Sequence, residues 1–257
     1  MSVTPNVEEV NRPEERQALQ QRYRTQIESA EKRGVKKTLL QFQVKVNRRG
    51  KAIINIDLQW LYSVVVLDEP YWNYYDQKKH TGRPIDTARE MVDIWLHHQH
   101  GPNIRHAALS LDKNGLTLYG KYCMCLLSEK LETCTTLLEE NDFVFADKQK
   151  WSPFKEQKVP SGYRVIWQER GELAVTKLGE KIQGKTKKRH FANLLLTSTG
   201  HRKTDDFIGV HIYSTIDKNW VESVRGPFFA KPDTRQEQYL DAIKDTLEDM
   251  GKTWEPI

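Results

Sequence analysis

Apolar residues recur along this chain in two rhythms. The first is alternation. Leu40, Phe42, Val44 and Val46 are interleaved with Gln41, Gln43 and Lys45, and after 47-NRRG-50 the set Ile54, Ile56 and Leu58 is interleaved with Asn55 and Asp57. That period of two predicts a β-hairpin. Further strands are predicted at 63–67, 116–127, 143–145, 191–197 and 207–214. The second rhythm is helical. Leu19, Tyr23 and Ile27 stand four apart in the Glu-, Gln- and Arg-rich segment 8–33, and Gly34 closes it as a helix stop. Ala88, Met91, Val92, Trp95 and Leu96 predict a helix over 84–102, with Thr87 and Glu90 spaced as a capping box and Gly101-Pro102 as the terminator.

Helices are also predicted over 129–140, over 161–183 in preference to a hairpin, and over 218–225. A last one begins at the capping box Thr234 and Glu237, turns Leu240, Ile243, Leu247 and Met250 inward, and stops at Gly251. Residues 104–111 read as a short helix capped by Asn103, with a hairpin through 114-NG-115 as the rival. Together these elements predict an α+β fold: a mixed or antiparallel sheet flanked by helices. Residues 1–34 form an N-terminal helical arm available to a protein partner, and 35–257 form a single α+β domain.

A chain of 257 residues is long enough to bury a core. Its longest apolar run, 122–127, is far short of the roughly 18 residues a membrane helix requires. The acidic start, MSVTPNVEEV, has no apolar segment of the kind a secretory signal needs, so a cytoplasmic protein is expected. Three cysteines, an odd number, argue against a disulfide scaffold. A net charge of +5 permits an anionic partner without demanding one.

Where chemistry could reside is a separate question. The stretch 95-WLHHQHGPNIRHAALSLDKNGLTLYGKYCMC-125 crowds together four histidines, two cysteines, two tyrosines and an arginine. His97, His98 and His100 fall in the last turn of a predicted helix, where they suit the exposed carbonyls and the negative dipole end. Cys123 and Cys125 would share one face of a strand, and no C-x-x-C accompanies them, so the cysteines read as core residues and no metal is expected. The octapeptide 179-GEKIQGKT-186 satisfies the phosphate-loop pattern, and 64-VVVLDEP-70 looks like an acidic strand end, which together suggest an NTPase. A phosphate loop must leave a strand and open a helix, however, and here a helix is predicted before it. The plainer reading makes Gly184 a helix stop. Lys185, Lys187, Lys188, Arg189, Arg202 and Lys203, placed at the two ends of a predicted strand, form a candidate nucleic-acid-binding patch.

Arg105 and His106, then Tyr119 and Tyr122 on the next element, then Glu139 and Glu140, offer an anion clamp, a stacking platform and an acid or base. The same residues could also serve structure alone, as ion pairs and core packing. L-T-L-Y-G-K-Y-C-M-C-L, the downstream L-E-E-N-D and the late F-I-G-V-H-I-Y-S resemble elements of bacterial ADP-ribosyltransferase-fold toxins, over residues near 104–145 and 207–224. That resemblance implies NAD as substrate, held by His106 or Arg105 and by Tyr119. It also implies a glutamate that stabilises the oxocarbenium-like ribose as nicotinamide leaves. Near Gly209, where the pattern has that glutamate, this chain has none, so Glu139, Glu140 or Glu222 would have to substitute.

The expectation is therefore a toxin- or effector-like protein with a cleft around Arg105, His106, Tyr119 and Tyr122. It would bind NAD or another nucleotide and transfer ADP-ribose to a macromolecular acceptor. The alternatives are a non-enzymatic nucleic-acid-binding subunit and a phosphate-loop NTPase using 179–186.

Overall fold

The computed structural model describes residues 5–201, 204–227 and 234–257. Its frame is one eight-stranded sheet: β1 (Lys51–Ile56), β2 (Arg105–Ser110), β3 (Tyr122–Leu126), β4 (Thr135–Leu138), β5 (Arg164–Ile166), β6 (Gly209–Ile212), β7 (Val221–Gly226) and β8 (Thr253–Pro256). The spatial order is β5-β4-β6-β2-β1-β3-β7-β8. Neighbours run antiparallel except for the parallel edge pair β7 and β8. The fold is α+β, as the two rhythms predict.

Alternation along each strand gives the sheet two unlike faces. Ala52, Ile54, Ala107, Leu109, Met124, Val210 and Ile212 point into the main hydrophobic core. Helices α2 (Pro13–Lys32), α3 (Lys36–Arg49) and α9 (Arg170–Leu178) cover part of that face, contributing Leu19, Leu39, Phe42, Leu173 and Leu178. Helices α4 (Leu58–Val65) and α11 (Thr234–Asp249) add Leu61, Val65, Leu240, Ile243 and Leu247. Helix α2, expected as an arm, thus buries Leu19 and Ala30 in the same core as the sheet.

The opposite face carries three small apolar clusters and no continuous core. Ile53 packs with Cys123 and Cys125, Ala108 with Leu116, Leu196 and Phe207, and Leu138 with Val92, Leu96, Phe145 and Ala146. The last cluster is covered by α6 (Thr87–His97) and α8 (Asp142–Lys148). Polar side chains occupy the ground between the clusters.

Several predicted elements change type, each for a local reason. The segment predicted as the first arm of a hairpin is α3: Leu39, Phe42 and Val46 are buried at helical spacing, while Leu40 and Val44, which created the alternation, lie on the outside. The run 63–67 belongs to α4 and the turn after it, with Leu61, Val64 and Val65 buried on one stripe. Residues 105–110, predicted helical, are the strand β2, buried on both faces at the middle of the sheet. The rival hairpin through 114–115 does not form either, because β1 lies between β2 and β3.

Downstream, 129–140 divides into the single turn α7 (Ser128–Leu131) and β4, and 143–145 lies inside α8. Residues 161–183 divide into β5 and α9, and 191–197 contains α10 (Phe191–Leu195) in place of a strand. Residues 218–225 are a 3₁₀ turn followed by β7. Asp86, not Thr87, caps α6, accepting a hydrogen bond from the Arg89 amide at 3.0 Å. Two glycine stops hold: Gly34 and Gly251 adopt φ of +70° and +66°, the left-handed turn that ends a helix, whereas α6 ends at His97 with Gly101-Pro102 inside the following 3₁₀ turn, and α9 ends at Leu178, before Gly184. The expected cap at Thr234 involves a side chain outside the described residues.

Among the described residues no helix is long and apolar enough to cross a membrane. Phe42 is fully buried and meets Phe191 edge-on, with ring centroids 5.2 Å apart. Phe42→Ala is expected to cost about 3–5 kcal/mol in denaturant unfolding, whereas Val44→Ala, outside the same helix, changes stability by less than about 0.5 kcal/mol.

Candidate functional site

The polar ground on the second sheet face is assembled from four elements. Strand pairing places His106 of β2 directly opposite His211 of β6, and His211 directly opposite Thr136 of β4. Helix α6 presents Arg89, Asp93 and His97 at i, i+4 and i+8, a polar stripe beside the apolar one that docks it. Asp142 opens α8 after Asn141, whose side chain caps the helix by accepting from the Phe143 amide at 2.9 Å.

One carboxylate ties these groups together. Asp142 Oδ1 lies 2.9 Å from His211 Nε2. Its Oδ2 lies 3.4 Å from Arg89 Nη2, 3.6 Å from His106 Nδ1 and 4.0 Å from His97 Nε2. Arg89 also donates through Nε to Asp93 Oδ2 at 2.8 Å and contacts the His106 ring. The Tyr75 hydroxyl donates to Asp93 at 2.8 Å, and the Tyr213 hydroxyl lies 3.1 Å from both His97 Nδ1 and Thr136 Oγ1. His97, His211, Asp93 and Asp142 are buried, whereas His106 is half-buried.

Burial alone would raise the Asp142 carboxyl. The bonded His211, with His97 and His106 beside it, outweighs that and holds it well below the usual carboxylate range. Burial, reinforced by His211, pushes the His97 imidazole down to about 3. Burial and the adjacent Arg89 guanidinium also hold His106 well below its ordinary value. His97 and His106 are thus neutral imidazoles at physiological pH.

Next to this network is a cavity of about 330 Å³. His106, His211, Gly209 and Ala108 form part of its floor, Arg89, Asn141 and Asp142 one side, and Trp60, Tyr71, Tyr74 and Tyr119 an aromatic wall. Tyr71 and Tyr74 come from the aromatic stretch 68–76, where Asn73 and Asp76 form a reciprocal capping box for α5 (Tyr74–Thr81), while Trp60 comes from α4 and Tyr119 from the turn before β3. A flat ring could stack there while Arg89 meets an anionic group and His106 exchanges a proton.

The sequence candidates scatter around this centre. His106 is within it, and Tyr119, 43% exposed, stands at its edge. Arg105 points elsewhere, toward Asp76 and the Asn103 carbonyl, and lines a separate depression with His100 and Tyr213. Tyr122 is buried on the other face against Trp254. Glu139 is bound by Arg22, and Glu140 by Lys177 and Lys148. Neither glutamate reaches the cavity. A side chain at Gly209 would meet the Glu140 carbonyl oxygen at 3.1 Å, so a glutamate at that position would require the Glu140 backbone to give by a few tenths of an ångström.

Lys185, Lys187, Lys188 and Arg189 lie in an exposed segment, and Arg202 and Lys203 fall outside the described residues. The octapeptide 179–186 continues from α9 as a 3₁₀ turn, not from a strand, so the strand-to-helix cradle for phosphate is absent. Arg89, Asp93, Asp142 and His211 were missed. The i, i+4, i+8 polar stripe of α6 and a lone histidine inside the apolar strand 207–214 were the available signals.

The cysteines are free and buried, and burial pushes the Cys125 thiol up to about 12. Two other trios, His97, Asp142 and His211, and Asp93, His106 and Asp142, hold their donor atoms within 4.8 Å of one another and could take a divalent cation. Arg89 already supplies positive charge to the carboxylate that both trios share.

The chain matches no model of a known protein family and no curated protein.

Asp142→Asn removes the shared anion while keeping its shape, and is expected to cost about 3–5 kcal/mol in chemical unfolding. The pH dependence has a definite sign. His97 binds its proton near 6.5 when unfolded and near 3 when folded. The unfolded state therefore takes up more protons in that window, and stability falls as pH drops through it, by up to about 1.4 kcal/mol per pH unit for this group. His97→Gln should make the slope of unfolding free energy against pH measurably shallower between pH 6.5 and 4. An unchanged slope would show that His97 is not held neutral.

Proposed function

We propose that the cavity is a nucleotide-binding site with acid–base capability, and that its ligand is NAD or a related nucleotide. The observation carrying this reading is His106. It lines the cavity as a neutral imidazole, it is oriented by Asp142 and Arg89, and it shares the cavity with the aromatic wall.

The wall supports stacking of a base or nicotinamide ring, and Arg89 supports capture of a phosphate. In the ADP-ribosyl transfer implied by the resemblance, the ribosyl C–N bond breaks and nicotinamide leaves as a neutral molecule. The acceptor's heteroatom bonds to the anomeric carbon, and His106 takes the acceptor's proton. The carboxylate nearest this chemistry is Asp142, not Glu139 or Glu140, so Asp142 takes over the part of stabilising the positive ribosyl centre.

Purified protein should quench its Trp60 and Tyr71 emission on titration with NAD and release nicotinamide when a protein or nucleic-acid acceptor is present. His106→Ala is expected to lower turnover by about 10²–10⁴-fold, and Tyr119→Ala to weaken binding. Absence of both binding and nicotinamide release, across NAD and common nucleoside triphosphates, would overturn the proposal. Binding without turnover would retain the pocket and remove the transferase.

A further inference from the structure

Helix α3 carries Lys36, Lys37, Lys45, Arg48 and Arg49 and no carboxylate. Lys36 and Lys37 sit in its first turn, where the helix dipole disfavours positive charge, whereas Arg48 and Arg49 in the last turn suit it. With Lys188 these residues line an open groove of about 880 Å³ whose remaining lining is Leu40, Gln41, Val44 and Phe191. No acidic side chain lines it. Lys36 is paired with Glu31, whereas no carboxylate pairs with Lys37, Lys45, Arg48, Arg49 or Lys188 among the described residues. Leu40 and Val44, one helical turn apart, are 37% and 50% exposed within this cationic rim. The groove lies on the outer side of the helix layer that covers the main core, and shares no residue with the cavity holding His106.

We propose that this groove binds single-stranded nucleic acid, with the α3 cations and Lys188 on the phosphates and the bases resting on Leu40 and Val44. Charge density selects the ligand. From Lys36 to Arg49 the helix rises about 20 Å. A nucleic-acid strand stacked as in a duplex carries one charge per about 3.4 Å, while an acidic helix with one carboxylate per turn carries one per about 5.4 Å. Six cations on so short a length match the denser polyanion. Lys185, Lys187 and Arg189, exposed on the segment that supplies Lys188, extend the same positive surface. This proposal does not rest on the nucleotide reading of the cavity.

The test is fluorescence anisotropy with labelled mixed-sequence 20-nucleotide DNA and RNA, using the full chain over a salt series. With four to six phosphates engaged, log affinity should fall against log salt with a slope of about −3 to −4. The double variant Arg48→Glu/Lys188→Glu should weaken binding at least about tenfold and flatten the slope, and Val44→Asp should weaken it further. Circular dichroism confirms that each variant is folded, as expected for exposed positions. The Arg48→Glu/Lys188→Glu variant, which alters no residue lining the cavity, should keep the NAD-induced quenching, which separates failure of this proposal from failure of the cavity reading. No binding to either oligonucleotide at low salt overturns the proposal, as does binding indifferent to the charge reversals. Capture of anionic phospholipid vesicles or of polyglutamate with greater affinity than the oligonucleotides also overturns it.

Discussion

The second face of the sheet is organised by the opposition of two imidazoles on adjacent central strands. Register alone brings His106 and His211 side by side, with ring centroids 5.2 Å apart. Burying two such rings in a low-dielectric layer is unfavourable unless their nitrogens find partners. Asp142 supplies the principal partner, and because it is itself buried it must be balanced in turn by Arg89 and His211. Each member is held by the others, so the network specifies one arrangement of α6, α8, β2 and β6 and leaves little freedom for any of them to shift independently.

That polar arrangement is compatible with a stable fold because the two sheet faces divide the work. The face under α2, α3, α9, α4 and α11 is uniformly apolar and forms the main core. The other face carries small clusters and a polar network in which, among the described residues, His97 Nε2, His211 Nδ1 and Asp93 Oδ1 are buried without hydrogen-bond partners, as is the Tyr122 hydroxyl on the core face. The cavity opens beside His211, and Tyr71 and Tyr74 of its aromatic wall come from a loop that the Asn73–Asp76 capping box joins to α5.

Charge is divided as well. The cavity side mixes Arg89 with Asp57, Asp86 and Asp142, whereas the outer surface of α3 is cationic throughout. A modest net charge of +5 conceals this asymmetry, because the acidic residues are spent elsewhere on ion pairs such as those of Glu139, Glu140 and Asp206.

The chain by itself determined the α+β class, α2 and α11 with their glycine stops, α6, the core of β3 and β6, and the placing of His106 among chemically active groups. These were legible because each rests on a local signal: a sustained helical period, a cap, or an apolar run bounded by turns. What only the tertiary structure decided was the type of the short, ambiguous segments and the membership of the site. Residues 40–46 satisfy both periods, and contact with Phe191 and the sheet, not propensity, selects the helix that buries Phe42. Residues 105–110 carry Ala107, Ala108 and Leu109 in succession, buried on both faces of a central strand, which erases the alternation that would have marked them. Asp142 and His211 are 69 residues apart, Arg89 and Asp142 are 53 apart, and their chemistry exists only through strand register and helix docking, quantities that no window of sequence contains.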